Sequence, residues 1–67
     1  MDNKEILSDL LNERIKLAER IEGLSLYINK GPITEREMDL AIDQYSFMEN
    51  YLKALTKRIK HYEESLL

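Results

Sequence analysis

The chain contains no cysteine, one proline, one histidine and two glycines among its 67 residues. Without cysteine it can form no disulfide and offers no thiolate ligand to a metal. His61 has no His, Asp or Glu partners at the spacing of a metal site. Two glycines are too few for a glycine-rich phosphate loop. We therefore expect no metal centre and no cofactor.

Long uncharged runs are also absent, and none approaches the roughly 20 apolar residues that span a membrane as a helix. Charged residues recur from Asp2 to Glu22, which leaves no apolar core for a signal peptide. These two absences predict a cytoplasmic protein that does not bind the membrane.

Neither half of the chain is basic, and the formal net charge is −3. Residues 1–30 carry five basic and six acidic side chains, and residues 35–67 carry five and seven. Proteins that bind duplex nucleic acid present clustered lysine and arginine to the phosphates. The charge pattern therefore argues against a duplex nucleic-acid partner.

Apolar residues of the second half alternate at spacings of three and four, the heptad pattern of a coiled-coil helix. They are Met38, Ala41, Tyr45, Met48, Leu52, Leu55, Ile59, Tyr62 and Leu66. Thr34 and Glu37 form a capping box, and Ile33 and Met38 stand at the positions of a hydrophobic staple. The pattern predicts a helix over residues 35–65.

A weaker heptad row runs through the first half, and Ile6, Leu11, Ile15 and Ala18 widen it. The row consists of Leu7, Leu10, Arg14, Leu17, Ile21, Leu24 and Ile28. Asp2 and Glu5 mark its start as a cap, and Gly31-Pro32 marks its end. We predict one domain over residues 1–67, with helices at 3–30 and 35–65 and a turn at 31–34. The fold class is all-α, an antiparallel two-helix coiled-coil hairpin.

A chain of this length buries too little surface to be stable alone, and it has neither disulfide nor metal to compensate. Further apolar residues in the second helix form a stripe beside the heptad row. This second stripe consists of Leu40, Phe47, Tyr51 and Ala54. An exposed apolar stripe of this kind marks an interface. We therefore expect a homo-oligomer, either a dimer forming a four-helix bundle or a larger assembly, with this stripe as the contact.

Three residues are candidates for binding a ligand. Arg14 occupies a core position, where it either reaches water, pairs with Glu49, or meets a phosphate between hairpins. Tyr51 lies off the heptad row, where it either stacks on a ligand or packs in an interface. Arg58 belongs to a basic stretch near the end of the second helix, which is either a solvated face or a local anion site.

No arrangement of nucleophile, base or paired carboxylates typical of an enzyme is found, so we predict no catalytic residues. Two segments carry a resemblance instead: E-R-I-x-x-L-x-x-Y-I from Glu19 to Ile28, and M-x-x-Y-L-x-x-L-x-x-R-I from Met48 to Ile59. Together they resemble the small phage helical-hairpin proteins of the crAss-phage-related family. The resemblance implies a phage origin and location in the host cytoplasm.

Similar phage hairpins include oligomeric anti-defence sponges that hold cyclic-nucleotide or cyclic ADP-ribose-type immune signals between protomers. No motif of those sponges can be placed here residue by residue. The first hypothesis is therefore a non-catalytic oligomer that sequesters a small anionic nucleotide. The alternatives are a module that binds a host or phage protein through the second stripe, and a purely structural bundle.

Overall fold

Two helices make up the computed structural model, which describes residues 2–32 and 34–67. The first, α1, spans Asn3–Lys30, and the second, α2, spans Glu35–Ser65. They pack against each other along an elongated hairpin of 49 × 17 × 15 Å, and no strand occurs in these two ranges. The prediction of an all-α two-helix hairpin is therefore confirmed. Its assembly into an oligomeric bundle stays a prediction.

The ends of α1 use the two signals expected of them. The Asp2 carboxylate accepts a hydrogen bond from the Glu5 backbone N–H at 2.8 Å, which satisfies one of the free amides of the first turn. Gly31 follows the helix with a positive φ of 87°, a conformation that costs residues with a Cβ more than it costs glycine. Its N–H donates to the Ile28 carbonyl at 3.1 Å and closes the helix.

The start of α2 is fixed by Thr34, whose hydroxyl accepts from the Glu37 backbone N–H at 3.1 Å. This is one half of the predicted capping box. Ile33, which was predicted to form a staple with Met38, lies outside the described residues. Glu35 and Glu37 place negative charge in the first turn, where the helix dipole favours it.

The core lies along the contact line of the two heptad rows. One cluster contains Leu10, Leu17 and Ile21 of α1 with Leu55 and Ile59 of α2, the last two being 1% exposed. Tyr45, Met48 and Leu52 pack against this cluster and are half-buried. Both heptad rows supply buried residues, so the burial of apolar surface stabilises the predicted contact between the two helices.

The predicted widening of the α1 row holds for Ile6 and Leu11, which pack against the core cluster, but not for Ile15 and Ala18. Ile15 is 58% exposed and Ala18 is exposed too. At about 100° of rotation per residue, Ile15 points about 140° away from the buried Leu10. A single neighbouring helix cannot cover so wide an arc, so Ile15 remains outside the core.

Candidate functional site

One long side of the hairpin carries most of the residues predicted to contact a ligand or a second copy, and we call it the Phe47 face. It is formed by two rows whose spacings alternate between three and four, so each row stays on one side of its helix. The α1 row consists of Asp9, Glu13, Lys16, Arg20, Gly23 and Tyr27. The α2 row consists of Glu37, Leu40, Gln44, Phe47, Tyr51, Ala54 and Arg58.

Contacts at both ends show that the two rows share this face. Near the turn, the Tyr27 hydroxyl donates a hydrogen bond to Glu37 Oε1 at 3.3 Å. Near the chain termini, Asp9 and Glu13 line a single open groove with Arg58. The rows therefore run side by side over most of the length of the hairpin.

The tyrosine at the turn end remains a neutral donor. Partial desolvation, the negative charge of Glu37 and the hydrogen bond to its carboxylate together raise the pKa of Tyr27 above its usual value.

The predicted interface residues of α2 are all on this face and are not covered by α1. Phe47 is 73% exposed, Tyr51 48% and Leu40 45%, and Ala54 is exposed as well. A stripe of aromatic and aliphatic side chains is thus available for contact with a second molecule. Its role as an oligomer interface stays a prediction.

The three predicted ligand-binding residues do not all meet within one hairpin. Tyr51 and Arg58 lie on the Phe47 face, seven residues apart, which is about 10 Å along the helix axis. Arg14 is half-buried. Around the axis of α1 it lies about 40° to one side of Leu10, whereas Glu13 lies on the other side of Leu10. It leans toward the other side of the hairpin, so it could join the other two only through a second copy.

Arg14 does not bury an uncompensated charge at its core position. It is only half-buried, and within ranges 2–32 and 34–67 no buried side-chain nitrogen or oxygen lacks a hydrogen-bond partner. Glu49, which the sequence suggested as a partner of Arg14, affects the pKa of Tyr45. Hydrogen bonding to Glu49, followed by the charge of that carboxylate, raises the pKa of Tyr45.

Arg58 shares its groove with two carboxylates. Asp9 and Glu13 come from α1, while Arg58 and Tyr62 come from α2. Carboxylates beside a guanidinium compete with any incoming anion for it and repel that anion. The surroundings of Arg58 are therefore less favourable to a phosphate than the sequence alone indicates.

The opposite side of the hairpin has a second open groove, lined by Ser25, Ile28, Asn29, Ile42 and Tyr45. Polar groups there are amides and hydroxyls, and no charged side chain lines it. Such a groove suits an uncharged or apolar contact better than an anion.

Residues 2–32 and 34–67 contain neither a membrane-spanning helix nor a metal-binding cluster. No helix of the described ranges is long and apolar enough to cross a membrane. No group of three or more His, Asp or Glu residues in those ranges is arranged to hold a metal ion.

Comparison with known protein families gives a match over most of the chain. The model of a family described as Sequestin matches residues 4–61, which includes nearly all of both helices and the whole Phe47 face. The name of this family indicates a sequestering role, not catalysis. No curated protein and no solved structure matches the chain. The relation to crAss-phage proteins stays a prediction.

Proposed function

We propose, on the premise that this chain belongs to the Sequestin family, that it sequesters a small anionic nucleotide of the cyclic signalling type. The protein binds the nucleotide without changing it and so keeps it from its effector. The observation that carries the proposal is the family match across both helices, together with a face that presents exposed aromatic rings beside cations.

The chemistry of the Phe47 face suits such a ligand. Exposed Phe47 and Tyr51 offer rings on which a base can stack, an interaction that every nucleobase can make. Cations on the same face offer charge-assisted hydrogen bonds to phosphate oxygens. Tyr51 is the proposed stacking residue. Arg58, and Arg14 from a second copy, are the guanidinium groups proposed from the sequence.

The ligand is proposed to lie between copies of the hairpin. Tight small-molecule sites are concave and bury most of the ligand surface. The grooves at both ends of the hairpin are open, and the middle of the Phe47 face is a side of two packed cylinders. A second copy laid over the stripe of Leu40, Phe47, Tyr51 and Ala54 would close the site. Oligomerisation and binding are therefore parts of one proposal.

Phage origin and action in the host cytoplasm belong to the same proposal. They are supported by the resemblance of Glu19–Ile28 and Met48–Ile59 to phage hairpin proteins. A sponge acts by mass action, so each binding site removes at most one ligand molecule. Such a protein must accumulate to the concentration of the signal.

Thermal melts with cyclic di-AMP, cyclic GMP-AMP and cyclic ADP-ribose test the proposal, with AMP as the control nucleotide. A ligand present at 100 times its Kd should raise the melting temperature by roughly 10–20 °C in a domain of this size. Ligand released by heating should be recovered intact, as measured by mass spectrometry, because no catalytic group acts on it.

The absence of a shift with all three cyclic nucleotides would contradict sequestration of this ligand class. A recovered but hydrolysed nucleotide would contradict the non-catalytic role. Capture of a host or phage protein by the wild type but not by the Phe47→Glu variant, without any nucleotide effect, would instead favour the protein-binding module.

A further inference from the structure

The α1 row of the Phe47 face carries two cations, Lys16 and Arg20, in its middle. In the α1 row, Lys16 and Arg20 come after Glu13, and no acidic residue follows them in that row. The next acidic residue of the two rows is Glu37, which comes after the turn. The α2 row has no acidic residue between Glu37 and Arg58. Lys16 and Arg20 are thus the charged members of the two rows between these points, while Asp43, four residues before Phe47, and Glu19, three residues after Lys16, lie at the edges of the same section.

Lys16 and Arg20 lie level with the aromatic residues of α2. The Tyr27–Glu37 hydrogen bond fixes the level at the turn, and the groove of Asp9 and Arg58 fixes it at the termini. The two helices are antiparallel and rise equally per residue, so each step forward in α1 corresponds to one step back in α2. Starting from these two contacts, Arg20 lies at the same height along the hairpin as residues 44–47, and Lys16 at the same height as residues 48–51. Two exposed cations thus stand beside Phe47 and Tyr51.

The two cations stand four residues apart on one helix, so their side chains start about 5–6 Å from each other. Like charges at this spacing destabilise a helix slightly. An anion with two negative groups placed between them would remove that repulsion and gain two charge-assisted hydrogen bonds. Arg20 lies seven residues after Glu13 and is therefore farther than Arg58 from the carboxylates of the groove that Asp9 and Glu13 line.

We propose that Lys16 and Arg20 hold the phosphates of a nucleotide with two phosphate groups, while Phe47 or Tyr51 stacks on its base. This inference rests on the proposed function and names the residues of the same site. Arg20 can form two parallel hydrogen bonds to one phosphate through its planar guanidinium, and Lys16 supplies a compact charge for the second. Neither residue is needed for the core, because both are exposed.

The test compares two double variants that change the net charge equally. Lys16→Gln/Arg20→Gln removes the proposed phosphate contacts. Lys53→Gln/Lys57→Gln removes another exposed pair of cations at the same spacing, on the outer side of α2 and away from the Phe47 face. Glutamine is a good helix former, so both proteins should keep the helical signal of the wild type in circular dichroism.

Isothermal titration with cyclic di-AMP and cyclic ADP-ribose measures Kd for the wild type and both variants. The first variant should bind at least about tenfold more weakly, because it loses hydrogen bonds to charged groups. The control should bind as the wild type does. Arg20→Lys should fall between the two, since it keeps the charge but loses the paired geometry.

Equal binding by the wild type and the Lys16→Gln/Arg20→Gln variant would overturn the inference while leaving sequestration intact. Equal weakening of both double variants would also overturn it, because the effect would then be one of net charge. If no nucleotide binds the wild type, sequestration fails. In that case melts with inorganic pyrophosphate test the two cations alone. The inference that Lys16 and Arg20 bind phosphates then holds only if pyrophosphate raises the melting temperature of the wild type and not that of the Lys16→Gln/Arg20→Gln variant.

Discussion

At the scale of single residues, the helix caps are where the sequence is most informative. The Thr34 hydroxyl bonds the Glu37 backbone N–H, and Asp2 does the same for Glu5, as the spacing of these residues predicts. Caps can be predicted because the interaction is local and needs no knowledge of the tertiary contacts. Each one satisfies an amide that the helix itself leaves free.

Replacing Thr34 by alanine should therefore destabilise the hairpin by about 1 kcal/mol. The matched control is Thr56→Ala within the same helix, where the hydroxyl only bonds back to the Leu52 carbonyl at 2.9 Å. Alanine is the better helix former, so the control should be neutral or slightly stabilising. Urea midpoints at one fixed protein concentration measure both effects. Equal destabilisation by the two substitutions would show that the cap contributes nothing specific.

The residues proposed to bind the ligand are harder to predict from the sequence. Tyr51 and Arg58 stand out in the sequence by type, and Arg14 by its place in an apolar row. Which cations share a face with Phe47 depends on how α1 is rotated against α2, and only the tertiary contact fixes that rotation. Lys16 and Arg20 appear in the sequence as ordinary solvated charges. Lys53 and Lys57 have the same spacing, so the sequence alone does not single out Lys16 and Arg20.

At the scale of the elements, the heptad rows predict which faces of the helices meet, and Leu10, Leu55 and Ile59 are buried accordingly. The width of the contact does not follow from the rows. Ile15 belongs to a broad apolar stripe in the sequence, yet one neighbouring helix leaves it 58% exposed. Burial depends on the number of neighbours, which a helical pattern does not state.

Gly23 gives a prediction for α1. A Cβ added at this position would meet no atom within 4 Å, and the residue is in the interior of a helix. Gly23→Ala should stabilise the hairpin by about 0.5–1 kcal/mol through helix propensity. Gly31→Ala, the control, should destabilise it by about 1–2 kcal/mol, because φ is 87° there.

Circular dichroism melts of both glycine variants at several protein concentrations measure these opposite effects. Gly23 lies on the Phe47 face, so the same melts show whether another helix approaches its backbone. Destabilisation by Gly23→Ala that grows with protein concentration would contradict the simple propensity account and would indicate a close contact between copies.

At the scale of the whole molecule, the hairpin has a narrow core and an uncovered apolar face. Among residues 2–32 and 34–67, six side chains are buried, and they form a line between the two helices without a third layer. A hairpin that leaves Phe47 73% exposed gains little from its largest apolar side chain. Burying this face against a second copy would add the missing apolar area and would enclose the aromatic rings and cations of the proposed site.

Phe47→Glu tests this view of the assembly. A glutamate in the middle of the stripe would have to be buried as a charge in any contact made there, which costs several kcal/mol. We expect the wild type to have a mass above that of the 8.0 kDa chain in light scattering at micromolar concentration, and the variant to fall to the monomer mass.

Ser46→Glu is the matched control, because it adds the same charge one residue away, on the outer side of α2. Dissociation of both variants would mean that added negative charge alone breaks the assembly. An unchanged mass for Phe47→Glu would move the contact away from this face. The side that carries Ile15 and Ile42, exposed by 58% and 48%, would then be the next surface to alter.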